Sequence, residues 1–249
     1  MWFSMLAMMS GLQMDIVAQG YLAYDLSDSA SVLGLIYGAQ ALPMLLFPLF
    51  AGVAADRFGR RTIIQIGQVM TASIALLIAI SIYTDLIVWQ HLLVMGVIHG
   101  IVMAFSLTAR QAAIPDLVPK ADLENAVALN GALLSITTAA APGIGGALYA
   151  LAGPWVVFAL VAFLGLISVA LSGKLPSLTP PKQSHPAVVQ EIIVGLKHIN
   201  NFPSLKIVIL MSLITASLIM PFRFVLPVFV VDVYQNCLLY TSPSQRDRG

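Results

Sequence analysis

The chain of 249 residues has one cysteine and very little charge. The lone Cys237 excludes a disulfide framework within the chain and a metal site built from several cysteines. Aspartate, glutamate, lysine and arginine together make up only 9% of the residues, whereas a soluble domain carries roughly 25%. This scarcity of charge argues against a water-soluble globular domain.

Several functional signatures are also missing from the sequence. There is no P-loop or other nucleotide motif, so nothing indicates direct coupling to ATP or a bound cofactor. No basic stripe with interleaved aromatic residues predicts a nucleic-acid partner. The apolar segments contain no paired carboxylates, no histidine and aspartate cluster, and no nucleophile beside a base. We therefore expect neither a metal site nor an enzyme.

Apolar residues are the most abundant class in the sequence. They account for 59% of the chain, and the mean hydropathy is +0.92. A helix that crosses a bilayer needs about 20 consecutive apolar residues. Stretches of that kind recur, and they are continuous rather than alternating, which favours helices over the strands of a barrel. The pattern predicts an all-α integral membrane protein with spans 1 to 7 at residues 1–23, 32–54, 62–83, 90–112, 125–152, 154–173 and 205–232.

The positive charges follow the even-numbered spans. The links after spans 1, 3 and 5 carry no lysine or arginine, only Asp25, Asp28 and Asp85. Cytoplasmic loops carry the excess of positive charge in membrane proteins. We therefore expect a multi-pass protein of the cell membrane, the lipid bilayer being its main partner, with the even-numbered links in the cytoplasm. The charges in those links are Arg57, Arg60, Arg61, Arg110, Lys120, Lys174, Lys182, Lys197 and Lys206, and Arg110 is expected at the cytoplasmic surface, where span 4 ends.

The link after span 6 divides the chain. It contains a spacer, "PSLTPPKQSHP", whose prolines cannot sustain a helix. Apolar residues at helical spacing follow, as is typical of a helix lying on a membrane surface. The sequence thus predicts a six-helix N-terminal bundle (1–173), a cytoplasmic linker with an amphipathic helix (174–204) and a seventh helix that begins a second bundle (205–235). Residues 236–249 are polar and break the pattern, and we interpret them as a non-native tail.

An internal repeat relates spans 2 and 5. The segments "PLFAGVAADRFG" (48–59) and "PGIGGALYALAG" (142–153) share a proline, a glycine four positions later and a glycine seven beyond that, at an offset of 94 residues. Spans 2 and 5 cross the membrane in opposite directions, so the relation would be an inverted repeat of three helices each. Ordinary small-residue packing in membrane helices would produce the same match.

The most charged segment lies between spans 2 and 3 and reads "GVAADRFGRR" (52–61). It resembles the loop of form G-x-x-x-D-R-x-G-R-R found in the major facilitator superfamily. The resemblance implies a cytoplasmic latch that holds the two halves of a twelve-span carrier together in one transport state. The alternative is a positive loop that only sets topology. The matching residues, which we call the latch motif, are Gly52, Asp56, Arg57, Gly59, Arg60 and Arg61.

A second segment, "APGIGG" (141–146) in span 5, is similar to the G-P-x-x-G-G motif associated with antiporters of this superfamily, with Ala141 in place of the first glycine. Pro142 removes one backbone hydrogen bond, and Gly143, Gly145 and Gly146 allow close helix packing. Packing without any role in antiport would use the same residues.

A third motif departs from the superfamily pattern. Drug and proton antiporters often carry R-x-x-Q-G in span 4, where this chain has "GVIHG" (96–100), with Gly96 for the arginine and His99 for the glutamine. His99 is a candidate titrating group in its place. The alternative is a neutral histidine bonded to a neighbouring carbonyl.

Charged residues within the spans are candidate sites, because placing a charge at the bilayer centre costs roughly 2.5–3.5 kcal/mol. Asp15 lies on span 1 on one face with Gly11 and Gln19, and we expect this face to line a central cavity and to bind a proton or a cationic substrate. The alternative is a structural ion pair near the outer headgroups. Arg223 of span 7 lies between two prolines and is a candidate for binding an anionic group or for pairing with Asp232.

Two further segments narrow the resemblance. "TARQAAIPDLVPKADLENAVALNGAL" (108–133) and "EIIVGLKHINNFPSLKIVIL" (191–210) resemble the subgroup that contains the enterobactin exporter and the macrolide-efflux proteins. The resemblance implies a secondary exporter of small amphipathic molecules, a siderophore or a hydrophobic drug, driven by a proton or another cation. It also implies that the C-terminal half is missing and that this chain alone is inactive. The competing hypothesis is a membrane scaffold or sensor that transports nothing.

Overall fold

A computed structural model describes residues 2–117, 119, 122–173, 202, 204–212 and 214–215. Long helices joined by short links make up nearly all of this part of the chain. The widest link between described helices before residue 117 runs from Tyr83, where one helix ends, to Trp89, where the next begins. The helices are α1 (Trp2–Ser27), α2 (Ala30–Leu46), α3 (Pro48–Phe58), α4 (Arg60–Tyr83), α5 (Trp89–Leu117), α6 (Leu123–Ala152) and α7 (Pro154–Ser172).

Four of the described helices are long and apolar enough to cross a membrane, namely α4, the Trp89–Ala113 part of α5, the Glu124–Ala152 part of α6, and α7. α2 is apolar but shorter, with 17 residues. α1 has 26 residues, and its Gln13, Asp15 and Gln19 lower its hydropathy. The all-helical membrane bundle that the sequence predicts is confirmed.

The sequence pattern predicts that span 2 is one continuous helix. In the structure it consists of two helices. α2 ends at Leu46 and α3 begins at Pro48. Proline lacks the amide hydrogen that would continue the helical ladder, and it is well suited to the first turn of a new helix. Phe47, at the junction, packs its ring against Phe50 and against Phe105 of α5, with 6.2 Å between ring centroids in each case. The aromatic contacts fix the point at which the span divides.

The contacts between helices are symmetric with respect to two triplets of spans, 1–3 and 4–6. α1 packs mainly against α6 and α7, whereas α5 packs mainly against α2, α3 and α4. α4 and α7, the third helix of each triplet, pack extensively against each other. If spans 1, 2 and 3 are exchanged with spans 4, 5 and 6, these contacts map onto one another. This is the packing that a 3+3 inverted repeat predicts.

Glycines bring helices close together in both of the corresponding helix pairs, α1 with α6 and α5 with α2. A Cβ atom added to Gly145 of α6 would lie 3.1 Å from the Cα atom of Met14 in α1. A Cβ atom added to Gly100 of α5 would collide with the carbonyl oxygen of Gln40 in α2. Because backbone atoms cannot rotate away, a side chain at Gly100 would force the helices apart, and one at Gly145 would crowd α1. Each contact joins the first span of one triplet to the second span of the other.

The two segments of the internal repeat end alike. Gly59 and Gly153 close α3 and α6 with φ values of 85° and 88°. This left-handed region is open to glycine at little cost. Their prolines differ in placement, because Pro48 begins a helix whereas Pro142 lies inside α6. The glycine that ends each segment is therefore its shared structural feature.

A buried hydrogen-bonded cluster joins α1, α4 and α7. The Gln68 side-chain nitrogen donates to the hydroxyl of Ser168 at 2.7 Å and to that of Ser4 at 3.3 Å. The Ser172 hydroxyl donates to the Gln68 carbonyl oxygen at 2.8 Å. These side chains are at most 3% exposed. Nothing in the local sequence pattern predicts this cluster, because its members lie on spans 1, 3 and 6.

We expect Gln68→Met to lower the free energy of unfolding of this chain by about 2 kcal/mol. Interhelical hydrogen bonds in membranes contribute on average about 0.6 kcal/mol each, and the substitution removes three of them. Ser4, Ser168 and Ser172 keep their other hydrogen bonds. Unfolding of the detergent-solubilised chain by sodium dodecyl sulfate, followed by circular dichroism, measures the difference. Gln65→Met on the same helix is the control and should change little, so an equal loss in both variants would contradict the prediction.

Some expectations fall outside the described residues. They are the amphipathic helix of the linker, most of span 7 with Arg223, and the tail 236–249. The helical residues 204–212 and 214–215 coincide with the start of span 7. The expectation that span 4 ends at Arg110 is wrong. α5 continues beyond it to Leu117, and Arg110 is only 4% exposed, packed against α1.

Candidate functional site

A carboxylate and an imidazole meet inside the bundle. The Nδ1 atom of His99 in α5 lies 3.6 Å from the Oδ2 atom of Asp15 in α1. Their side chains are 4% and 8% exposed, respectively. α1 and α5 are the first helices of the two repeats, and their polar residues meet where the helices pass each other. Two residues proposed separately from the sequence therefore form one acid–base pair.

Polar atoms without partners surround the pair. The Nε2 atom of His99 and the Oε1 atom of Gln19 are buried and have no hydrogen-bond partner among the described residues. Tyr37 of α2 donates its hydroxyl to the carbonyl oxygen of Ile16 at 2.7 Å and so holds α2 against α1 beside Asp15. The pair is thus closed to solvent, and the two buried atoms of His99 and Gln19 could each form a further hydrogen bond.

The face of α1 that carries Asp15 points into the bundle. Gly11 is buried and packs against Val161 and Leu164 of α7, and Asp15 and Gln19 are 5% and 3% exposed. The sequence predicts that this face lines a cavity between two halves of a carrier. In the structure the helices of the first half alone already cover it. Asp15 is thus enclosed by helices of this chain.

Two arginines of the latch motif donate hydrogen bonds to backbone carbonyls at the ends of other helices. Arg61 donates from Nη2 to the carbonyl oxygen of Gly173, which closes the C-terminus of α7, at 2.6 Å. Arg60 donates from Nη1 to the carbonyl oxygen of Ala112, near the end of α5, also at 2.6 Å. Cations are favoured at helix C-termini, where the carbonyls lack partners. Arg57, in contrast, is exposed, and the side chain of Asp56 is outside the described part.

We expect Arg61→Gln to lower the free energy of unfolding by about 1 kcal/mol, because it removes a charge-assisted bond to a helix end that is exposed to solvent. Arg57→Gln, its matched control, removes the same charge from the same link without that bond and should leave stability unchanged. Detergent unfolding curves of the two variants measure the difference. Equal stability of Arg61→Gln and the parent chain would show that the Gly173 contact does not matter.

The glycines of the antiporter-like motif divide into two sets. Gly145 is buried against Met14. Gly143 and Gly146 have open space around them, with no atom within 4 Å of an added Cβ. Pro142 lies inside α6 without interrupting it. Close packing of α6 on α1 therefore accounts for Gly145, whereas the contacts among the described residues give no packing reason for Gly143 and Gly146.

The structure also reveals a buried cation that the sequence pattern assigned to the surface. Arg110 contacts the sulfur of Met8 with Nη2 at 2.6 Å, and its buried Nε atom has no hydrogen-bond partner in the described part of the chain. It lies on the same seam between α1 and α5 as Asp15 and His99, closer to the expected cytoplasmic end. Arg110 does not end its helix, because α5 continues for another seven residues. The count of apolar residues therefore placed the end of span 4 too early.

Curated proteins similar to this chain are efflux proteins. The multidrug efflux pump Tap of Mycobacterium tuberculosis (strain ATCC 25618 / H37Rv) is 26% identical over an alignment of 250 positions, which covers 94% of this chain and 58% of Tap. Tap of Mycolicibacterium fortuitum is 28% identical over 245 positions, with 92% and 59% covered. Macrolide efflux protein A of Streptococcus pyogenes is 26% identical over 239 positions, with 93% and 57% covered.

The chain thus spans a little over half the length of these relatives, from which it differs at most positions. The model of the transmembrane secretion effectors, a family of the major facilitator superfamily, matches residues 1–236. That range contains the latch motif, the antiporter-like motif and the Asp15–His99 pair. The match covers nearly the whole chain, and the chain belongs to the transmembrane secretion effector family of the major facilitator superfamily.

Proposed function

We propose that residues 1–235 form the first half of a secondary exporter, together with the first helix of its second half, and that this exporter moves small amphipathic molecules out of the cell in exchange for protons. Membership of the family and the efflux activity named for the similar proteins support export. The observation that carries the proton is the buried Asp15–His99 pair. Macrolide-like and other hydrophobic drugs are the first substrates to test, and a siderophore is the second class.

The pair can hold one proton in two arrangements. With the proton on Asp15 both groups are neutral, and with the proton on His99 they form an ion pair, so the net charge is zero either way. Losing the proton leaves one negative charge, which is expensive inside a bilayer. Proton release is therefore favoured only when the seam between α1 and α5 opens to water or when a cation replaces the proton. This condition links the proton to the conformational change of alternating access.

The latch motif fits the same proposal. Arg60 and Arg61 are engaged inside the first half, which leaves the exposed Arg57 to meet a second half in one transport state. The open faces of Gly143 and Gly146 on α6 offer a second surface for close helix packing. The even-numbered links, which carry these arginines, face the cytoplasm in this proposal because of the positive-inside rule.

Inside-out vesicles test the function. Vesicles from cells that express the complete gene encoding this chain are energised by acidifying their interior, and uptake of a macrolide is followed. We expect uptake that a protonophore abolishes and that vesicles containing only residues 1–249 do not show. Uptake that ignores the pH gradient would contradict proton coupling. Absence of any uptake across both substrate classes would favour the scaffold or sensor hypothesis instead.

A further inference from the structure

An apolar groove lies on the outside of the bundle, away from the Asp15–His99 pair. It encloses about 470 Å³ between α3, α4 and α5, within the range of small-molecule sites. Its walls include Ala54 and Phe58 of α3, Ile66 and Met70 of α4, and Ile101 and Phe105 of α5. Phe58, Ile66 and Met70 are 72%, 55% and 41% exposed, so the groove is open to its surroundings. In a membrane, those surroundings are lipid.

The division of span 2 creates this groove. α3 starts anew at Pro48, and the ring of Phe105, which lines the groove, packs against Phe47 at the junction. The floor is formed where α4 meets α5 most closely, because an atom added to Gly67 would collide with the hydroxyl of Ser106. That hydroxyl is buried and has no hydrogen-bond partner among the described residues. An occupant with an acceptor oxygen at this depth would satisfy it.

One end of the groove adjoins an exposed arginine in the sequence. Phe58 and Thr62 line the end nearest the latch motif, and the exposed Arg57 directly precedes Phe58 in the chain. From Thr62 to Met70 the groove follows α4 for about 12 Å, most of the roughly 15 Å depth of one hydrocarbon leaflet. A cation at the headgroup level, a hydroxyl below it and an apolar channel beneath match the parts of an anionic phospholipid in that order.

We propose that this groove binds one acyl chain of an anionic phospholipid whose headgroup pairs with Arg57. The proposal rests on membrane insertion and not on transport. Arg60 and Arg61 make bonds to Ala112 and Gly173, so Arg57 is the arginine of the motif placed to take a headgroup. A bound lipid would therefore compete with any second half for Arg57, and the anionic lipid content of the membrane would bias the transport state.

Quenching by brominated lipids tests the site on the full chain in nanodiscs. A reporter variant, Ile66→Trp, is made with Trp2, Trp89 and Trp155 replaced by phenylalanine. Brominated phosphatidylglycerol and brominated phosphatidylcholine are compared at equal mole fraction in a phosphatidylcholine bilayer. We expect the quenching to correspond to an enrichment of phosphatidylglycerol over phosphatidylcholine at the reporter of about five-fold. This is the preference for an anionic lipid that one arginine near a membrane surface provides. Symmetric bilayers make the result independent of orientation and of transport.

Matched variants locate the interaction. A reporter at Phe163→Trp of α7, which is 58% exposed, should show no preference between the two lipids. Arg57→Gln in the Ile66→Trp background should abolish the preference, and Arg57→Lys should retain it. Ala54→Phe, which fills the groove, should reduce quenching by both lipids at Ile66→Trp.

Three results would overturn the proposal. Equal quenching by the two lipids at Ile66→Trp would remove the anionic preference. A preference that survives Arg57→Gln would remove the headgroup partner. Relief of quenching by an added macrolide, whichever lipid is brominated, would assign the groove to the transported substrate rather than to a lipid. In each case the vesicle assay of export remains an independent measurement, so failure of the lipid site and failure of the proposed function can be told apart.

Discussion

Asp15→Asn in the complete protein should reduce transport driven by a pH gradient by on the order of 100-fold, the lower end of what a positioned proton-transfer group contributes. Asparagine fills nearly the same volume and can still accept a hydrogen bond, but it cannot release a proton. His99, 3.6 Å away in the parent chain, would then have no counter-charge, so the neutral arrangement that holds a proton inside the bilayer would be lost. The measurement is uptake into inside-out vesicles with an acidic interior.

A second assay separates a role in coupling from a role in folding. Exchange of labelled for unlabelled substrate across the membrane needs no net proton movement, so Asp15→Asn should retain it. Asp25→Asn is the matched control, because Asp25 lies on the same helix but accepts a bond from Tyr149 at 2.6 Å, away from His99. It should retain both activities. Full gradient-driven uptake by Asp15→Asn would remove this carboxylate from the mechanism, and loss of exchange as well would indicate a structural role.

The sequence predicts the helix boundaries well wherever hydrophobicity alone decides them. Span 3 at 62–83 corresponds to α4 (Arg60–Tyr83), and span 6 at 154–173 to α7 (Pro154–Ser172). In these segments, lipid demands a continuous apolar helix, and a glycine or a proline marks its end. Span 2 was predicted as one helix because the apolar count runs across Pro48 without a break, although proline chemistry favours the division that the structure has.

Contacts between spans could not be predicted in the same way. Asp15 is conspicuous in the sequence because a charge in a membrane span is costly, but its partner lies 84 positions away on α5. Gln68 and its serines look like ordinary span residues until three helices bring them together. Such pairs depend on which helix faces meet, and no single-span pattern contains that information. The inverted repeat could have narrowed the choice, since it predicts that spans 1 and 4 occupy equivalent places.

Gly100→Val should be the most destabilising single substitution among the glycines discussed, lowering the free energy of unfolding by about 3 kcal/mol, the upper end for overpacking. A Cβ atom at this position would meet the carbonyl oxygen of Gln40, with the carbonyl carbon at 3.0 Å and the Cα atom at 3.3 Å. All three are backbone atoms of α2, so relief requires that α2 and α5 move apart. That movement would also disturb the contact of Gly96 with Ile36, one turn away, where an added Cβ would lie 3.5 Å from the Ile36 carbonyl oxygen.

Gly38→Ala, on an open face of α2, should have the opposite effect on stability. Gly38 lies inside α2 with no atom within 4 Å of an added Cβ, and alanine in a helix is favoured over glycine by up to about 1 kcal/mol. Unfolding of both variants in mixed detergent micelles should therefore move in opposite directions from the parent chain. Gly145→Ala, whose added atom would lie 3.1 Å from the Cα atom of Met14, should fall between them. If Gly100→Val unfolds no more readily than Gly38→Ala, then α2 and α5 are not held together at Gly100, and the packing equivalence of the two repeats fails at this contact.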